Sequence, residues 1–217
     1  MKKDAAEHVV LLHGLWMRGF TLISLRRRLE QAGYSVDLFD YASVMQDSSS
    51  SIEKLLALTA ATKSKKVHFV GHSLGGLLAL QALQHKPDLI DGRVVCLGSP
   101  LRGSSVARAL ANFPGGSFLL GGSIDTLRSG LERWDGRQQV GAIAGRLPLG
   151  LGVALGTLSA PHDGTVSVEE TQLPGLTDHC VVAATHAGLP FSEITALQTI
   201  AFLNDARFAH DAADATA

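Results

Sequence analysis

The feature that most limits what this chain can fold into is a set of short, almost wholly apolar runs, each cut off by glycine or turn residues. Val9-Val10-Leu11-Leu12 stops at His13-Gly14, and Val67-His68-Phe69-Val70 runs into Gly71. A strand with one wet face alternates apolar and polar residues, whereas a continuous apolar run suits a strand buried on both faces. Such strands need helices on both sides of the sheet, and the intervening sequence supplies them. From Phe20 to Gln31, Leu22, Leu25 and Leu29 recur at helical spacing, and Gly33 ends the pattern. Ser48 to Thr62 places Ile52, Leu55, Leu56 and Leu58 behind serines that can cap a helix. Ser73 to about His85 is rich in Leu and stops before Pro87. Tyr34 to Phe39, Arg93 to Leu97 and Asp178 to Ala184 read as further strands, with Val140 to Ala144 a candidate for another. Pro190 to Asn204 reads as a closing helix with proline in its first turn. This alternation predicts an α/β fold, a mostly parallel sheet with helices on both faces and right-handed crossovers.

With 217 residues, 46% of them hydrophobic, the chain can bury one sizeable core. A single domain over residues 1–204 is expected, with the Ala- and Asp-rich residues 205–217 as a frayed tail. A net charge of −1 gives no electrostatic reason to expect a nucleic-acid partner or an anionic membrane. The basic clusters Arg26-Arg27-Arg28 and Lys63 to Lys66 are short and read as solvated helix faces or ends. Cys96 and Cys180 lie inside apolar runs at a spacing unlike a metal knuckle or redox pair, so free core thiols are expected. No uncharged apolar run reaches the length of about eighteen residues that a membrane span needs. Met1-Lys2-Lys3-Asp4 is followed by no long apolar stretch, so no secretory signal is expected and a reducing cytoplasm is the default location. Nothing in the pattern sets an oligomeric state.

The chemistry-bearing segment is Gly71-His72-Ser73-Leu74-Gly75. As a bare G-x-S-x-G pattern it is weak, since roughly 0.2 matches arise by chance at this composition. Its context is specific: a strand runs straight into it and a helix leaves it, the setting of a nucleophile elbow. A serine on such a turn has strained backbone angles, and side chains two positions either side would collide with each other and with neighbouring strands. The following helix N-terminus favours developing negative charge.

A serine alcohol needs a base to take its proton, and the base needs a group to fix its tautomer. Downstream of Ser73 the histidines are His85, His162, His179, His186 and His210. His186 follows the last strand and precedes the closing helix, with Ala187-Gly188 giving a flexible loop, so it is the chosen base; His179 begins the same strand at its other end. For the acid, Asp163 in Pro161-His162-Asp163-Gly164 sits on a tight turn ahead of the final strand, with Asp178, Glu169 and Asp135 as alternatives. His13-Gly14-Leu15 follows the first strand, which points to the N–H groups of Leu15 and Leu74 as an oxyanion hole, with His13 bracing the loop. Neither G-x-G-x-x-G nor a phosphate-binding loop occurs, and H-E-x-x-H is absent, which disfavours nucleotide and zinc chemistry.

At these residues the sequence resembles the α/β-hydrolase superfamily, especially small bacterial-type lipases and esterases. The matching pieces are Val-Leu-Leu-His-Gly-Leu at 10–15, Val-Gly-His-Ser-Leu-Gly-Gly at 70–76, Gly-Ser-Pro at 98–100, Asp-Gly-Thr-Val-Ser-Val at 163–168 and Thr-His-Ala-Gly-Leu at 185–189. The resemblance implies carboxyl-ester hydrolysis through an acyl-enzyme, with no metal or cofactor and a small-molecule ester as the partner. It also implies a short cap and pocket insertion at about 101–161. Two apolar pieces there, Phe118-Leu119-Leu120 and Leu147 to Leu155, carry few charges. If they line the pocket, uncharged esters with short to medium apolar acyl chains are favoured. A thioesterase or acyltransferase with the same triad, and a catalytically silent ligand-binding fold, are the alternatives.

Overall fold

The computed structural model describes residues 7–45, 48–64, 66–115 and 120–210. Its sheet has six strands: β1 His8–Leu12, β2 Ser35–Phe39, β3 Val67–His72, β4 Val94–Leu97, β5 Val140–Gly145 and β6 Asp178–Val182. They lie in the order β2-β1-β3-β4-β5-β6, and every neighbouring pair is parallel. The helices are α1 Ile23–Gln31, α2 Ser48–Ala61, α3 Leu74–His85, α4 Ser105–Ala111, α5 Ile124–Ser129, α6 Leu151–Leu155, α7 Val168–Thr171 and α8 Glu193–Asp205.

Apolar strands produce two cores, one on each face. On one face Val10, Leu12, Phe69, Val94 and Cys96 pack with Ile52 and Leu55 of α2 and with Leu77 and Leu80 of α3. On the other, Val9, Leu11, Val70, Val95 and Ile143 pack with Leu25 and Leu29 of α1 and with Phe202 and Leu203 of α8. Alternate residues of β1 thus serve opposite cores, which is why the run has no polar member. Strand addition reverses direction after β2, so connections of one hand put α1 on one face and α2 and α3 on the other.

Three sequence expectations change in detail. The first concerns the closing helix: Ser192 is its N-cap and accepts from the Thr195 N–H, while Pro190 lies in a separate 3-10 turn, Leu189–Phe191. The second is the 101–161 segment, which is not one continuous insertion. It contains β5, a central strand of the sheet, so the stretches before and after that strand reach the carboxyl edge separately. The third is the tail. Residues 205–210 are anchored through Phe208, which is buried against Phe202 with ring centroids 4.9 Å apart and whose N–H donates to Asp178 Oδ2. Residues 211–217 lie outside the described residues.

Cys96 and Cys180 are free and buried, and burial pushes both thiols up to about 12. Among the described residues no helix is long and apolar enough to cross a membrane.

Phe208 therefore belongs to the core. Phe208→Ala is expected to cost about 3–5 kcal/mol in urea unfolding, the range for emptying a buried aromatic site. A loss below about 0.5 kcal/mol is what an exposed, frayed tail gives.

Candidate active site

In an open parallel sheet the strand order reverses at one point, and a crevice opens outside the carboxyl ends of the two strands that flank it. Here those strands are β1 and β3. Leu15 follows β1 and Ser73 follows β3, so the sheet topology alone brings them to one crevice.

Ser73 has φ 55° and ψ −119°, a conformation that side chains other than glycine rarely hold, and its N–H donates to Leu97 O at 2.8 Å. Such strain costs on the order of 1–3 kcal/mol and persists only where neighbours enforce it. The glycines two residues away remove what would forbid the turn. A Cβ at Gly71 would stand 2.3 Å from the Gly76 nitrogen, and one at Gly75 would stand 2.4 Å from the Leu12 carbonyl oxygen of β1. The expected clash is thus real on both counts: the turn folds on itself, and α3 lies hard against β1.

Asp163 and His186 come from loops at the same edge. Asp163 is buried, and its Oδ1 accepts from the N–H groups of Thr165 at 2.9 Å and Val166 at 2.7 Å. Its Oδ2 lies 2.7 Å from His186 Nδ1, and its backbone carbonyl accepts from the His186 N–H at 2.9 Å. A carboxylate can only accept here, so the imidazole carries a proton on Nδ1, the tautomer that in the neutral ring leaves the lone pair on Nε2. Gly98, at the end of β4, backs this pair. Its φ is +54°, and a Cβ there would sit 3.1 Å from Asp163 Oδ2 and 3.2 Å from His186 Nδ1.

Ser73 and His186 line one cavity of about 180 Å³. No hydrogen bond joins them among the described residues; bonds of this kind are often long without substrate and tighten once it binds. The rest of the lining is mostly apolar: Leu15, Val106, Ala107, Leu110, Leu120 and Leu127 are among its members, and among the described residues no Lys, Arg, Asp or Glu contributes. Leu120 comes from the first apolar piece singled out in the sequence, whose Phe118 and Leu119 lie outside the described residues. Of the second piece, Leu147 to Leu155, no described side chain lines the cavity; Leu149 is 76% exposed. Helices α4 and α5 take its place. A larger hollow of about 460 Å³, beside His8, Ser35 and Asp37, lies at the amino ends of β1 and β2.

Leu15 lines the cavity, and Leu74 opens α3, where helix geometry leaves its N–H without an intrahelical acceptor. The loop carrying Leu15 is braced by His13, which is buried and donates from Nδ1 to the Gly14 carbonyl at 2.8 Å. Its ring stacks on Tyr41 at 4.3 Å, and its Nε2 lies 3.1 Å from Asp40 Oδ1. Asp40 and Tyr41 went unread in the sequence; their signal was an acidic and an aromatic residue at the end of a strand.

The alternative residues sit elsewhere. Asp178 begins β6, at the opposite end of the sheet, and binds His210. His179 is bonded to Thr171 Oγ1 at 2.8 Å. Glu169 is exposed and faces Arg102, and Asp135 pairs with Arg133. His85 bonds Gln81 O along its own helix, and His162 Nδ1 accepts from the Gly164 N–H. Among the described residues no group of three or more His, Cys, Asp or Glu could hold a metal ion.

A family model described as the alpha/beta hydrolase family matches residues 9–201, nearly the whole chain. The chain belongs to that family. Among solved structures, this hydrolase fold is similar to a metagenomic carboxyl esterase, with TM-score 0.69 and 21% identity, covering 88% of this chain and 68% of that one. It is also similar to a marine microorganism esterase, with TM-score 0.63 and 17% identity, covering 92% and 96%. A curated relative, pimeloyl-[acyl-carrier protein] methyl ester esterase of Aliivibrio fischeri (strain MJ11), is 29% identical over 94 residues. That match takes in 42% of this chain and spans only 37% of the relative.

Burial lowers the pKa of His13, His68, His72 and His179 from 6.5, that of His72 to about 3. Below 6.5 the unfolded chain takes up protons that these folded histidines refuse, so stability falls as pH falls. For His72 this continues down to about pH 3, at about 1.4 kcal/mol per pH unit. The thermal midpoint is therefore expected to drop steadily from pH 7 to pH 5. A flat profile over that interval contradicts neutral, buried imidazoles.

Proposed function

We propose that this chain is a serine hydrolase that cleaves carboxylic esters with short to medium apolar acyl chains. The observation that carries the reading is a strained Ser73 on a strand-to-helix turn, sharing one apolar cavity with a histidine whose Nδ1 is bonded to the buried Asp163 carboxylate. The carboxyl and methyl ester esterases among its relatives support ester chemistry, at the level of family likeness.

In this mechanism Ser73 Oγ attacks the ester carbonyl carbon as His186 Nε2 takes its proton. The N–H groups of Leu15 and Leu74 receive the negative charge on the carbonyl oxygen. The tetrahedral species collapses, the ester C–O bond breaks, and His186 returns the proton to the departing alcohol. Water then attacks the acyl-enzyme, again losing its proton to His186; the Ser73 oxygen leaves, regains that proton, and the carboxylic acid departs. Asp163 fixes the Nδ1–H tautomer and stabilises the imidazolium that forms in each step. The absence of charged side chains among the described lining residues favours an uncharged acyl group, since a carboxylate beside them would lose its hydration without gaining a partner.

Ser73→Ala is expected to lower turnover by about 10³- to 10⁶-fold with the fold intact, His186→Ala nearly as much, and Asp163→Asn clearly but less. Activity surviving in Ser73→Ala removes the nucleophile assignment. On a p-nitrophenyl ester series from acetate upward, kcat/KM should rise by at most about 0.8 kcal/mol for each CH₂ fully buried, until the cavity is full. No gain beyond acetate, or a preference for charged acyl groups, counts against the substrate reading. Matched esters and thioesters compared directly divide this reading from a thioesterase.

A further inference from the structure

One buried titratable side chain at the site has no part in the mechanism above. His72 ends β3, one residue before Ser73, and is 1% exposed. Its ring packs on that of His186, with centroids 4.9 Å apart and planes tilted by 43°. Its Nε2 lies 3.0 Å from the His186 carbonyl oxygen. A carbonyl accepts, so the proton is on Nε2 and Nδ1 carries a lone pair; that Nδ1 is buried without a hydrogen-bond partner. It faces Gly14, where an added Cβ would come within 3.2 Å of it. The ring is therefore wedged between the loop after β1 and the loop that carries the base.

We propose that His72 is a positioning residue that ties the His186 loop to the Ser73 turn through its Nε2–H bond to the His186 carbonyl and its ring contact with the imidazole. The proposal rests on the reading of Ser73 and His186 as nucleophile and base. The His186 backbone is held at two points: its N–H donates to the Asp163 carbonyl, and its C=O accepts from His72. Only the second links the base to the strand that bears the nucleophile. Ala187 and Gly188 follow in a turn closed by the Gly188 and Leu189 N–H groups on the Thr185 carbonyl, so the turn is braced within itself and the His72 bond is what joins it to β3. Displacing a reacting group by about 1 Å can cost on the order of 10²-fold in rate. A second proton on His72 would find no acceptor, so the ring stays neutral and sets no positive charge beside His186 as it takes the serine proton.

A His72 series assayed on p-nitrophenyl butyrate separates positioning from packing. His72→Phe keeps ring volume without a donor. His72→Gln can place an amide N–H near the Nε2 position, and His72→Asn is too short to reach. Phe and Asn are expected to lower kcat roughly 10- to 100-fold with KM changed by less than about threefold, and Gln to recover to within about threefold of the parent kcat. If the Phe variant does not fold, the Asn and Gln pair carries the comparison. Equal kcat in Asn and Gln, or parent kcat in Phe, overturns the proposal. Ser73→Ala and His186→Ala run alongside: if they keep activity, the nucleophile and base reading fails and this one with it. If they are silent while the His72 series is flat, only the positioning role fails.

Discussion

The contact on which the rest of the site depends is the approach of the β3–α3 turn to β1. Ser73 holds a left-handed backbone because Gly71 lets the turn close on Gly75 and Gly76, and Gly75 lets α3 lie against the carbonyls of Leu12 and His13. A methyl group at either glycine would meet backbone, which cannot rotate away as a side chain can. That close approach sets the turn at the crevice between β1 and β3, where Ser73 and Leu15 line one cavity. The two cores on either side of the sheet are what hold such a strained turn in place.

The partners of the serine are held by a different logic. Asp163 is buried, yet its carboxylate receives two backbone N–H groups and the imidazole, so its desolvation is offset by three donors. His186 in turn is tied to Asp163 by its side chain and by its own N–H. The imidazole is thus held by Asp163 at Nδ1 and by its own backbone, and in the proposed mechanism this is the preorganisation that proton transfer at a serine demands.

Much of this was legible in the sequence, for physical reasons. Doubly buried strands leave unbroken apolar runs, and the G-x-S-x-G turn stood between a strand and a helix, so the sheet and the place of Ser73 could be read locally. His186 and Asp163 were readable because each sits in a short loop bounded by a strand, proline or glycine. What escaped depends on contacts across the chain. Phe208 looked like part of a polar tail because one aromatic residue gives no periodicity, and contacts elsewhere in the chain, Phe202 and Asp178 among them, bring it into the core. Which of the two apolar pieces lines the cavity was not legible, because apolar character says nothing about which face a loop turns inward; Leu120 of the first piece does. His72 and Gly98 were visible inside motifs, but their neighbours, His186 and Asp163, lie far along the chain.

The most direct test of the central claim, that Ser73 is a nucleophile activated by the His186–Asp163 pair, is covalent labelling with a fluorophosphonate followed by peptide mapping of the adduct. The expected result is one adduct per folded chain, on Ser73, lost in urea and strongly slowed in His186→Ala. An adduct on a different serine, or labelling of Ser73 at the same rate without His186, contradicts the account.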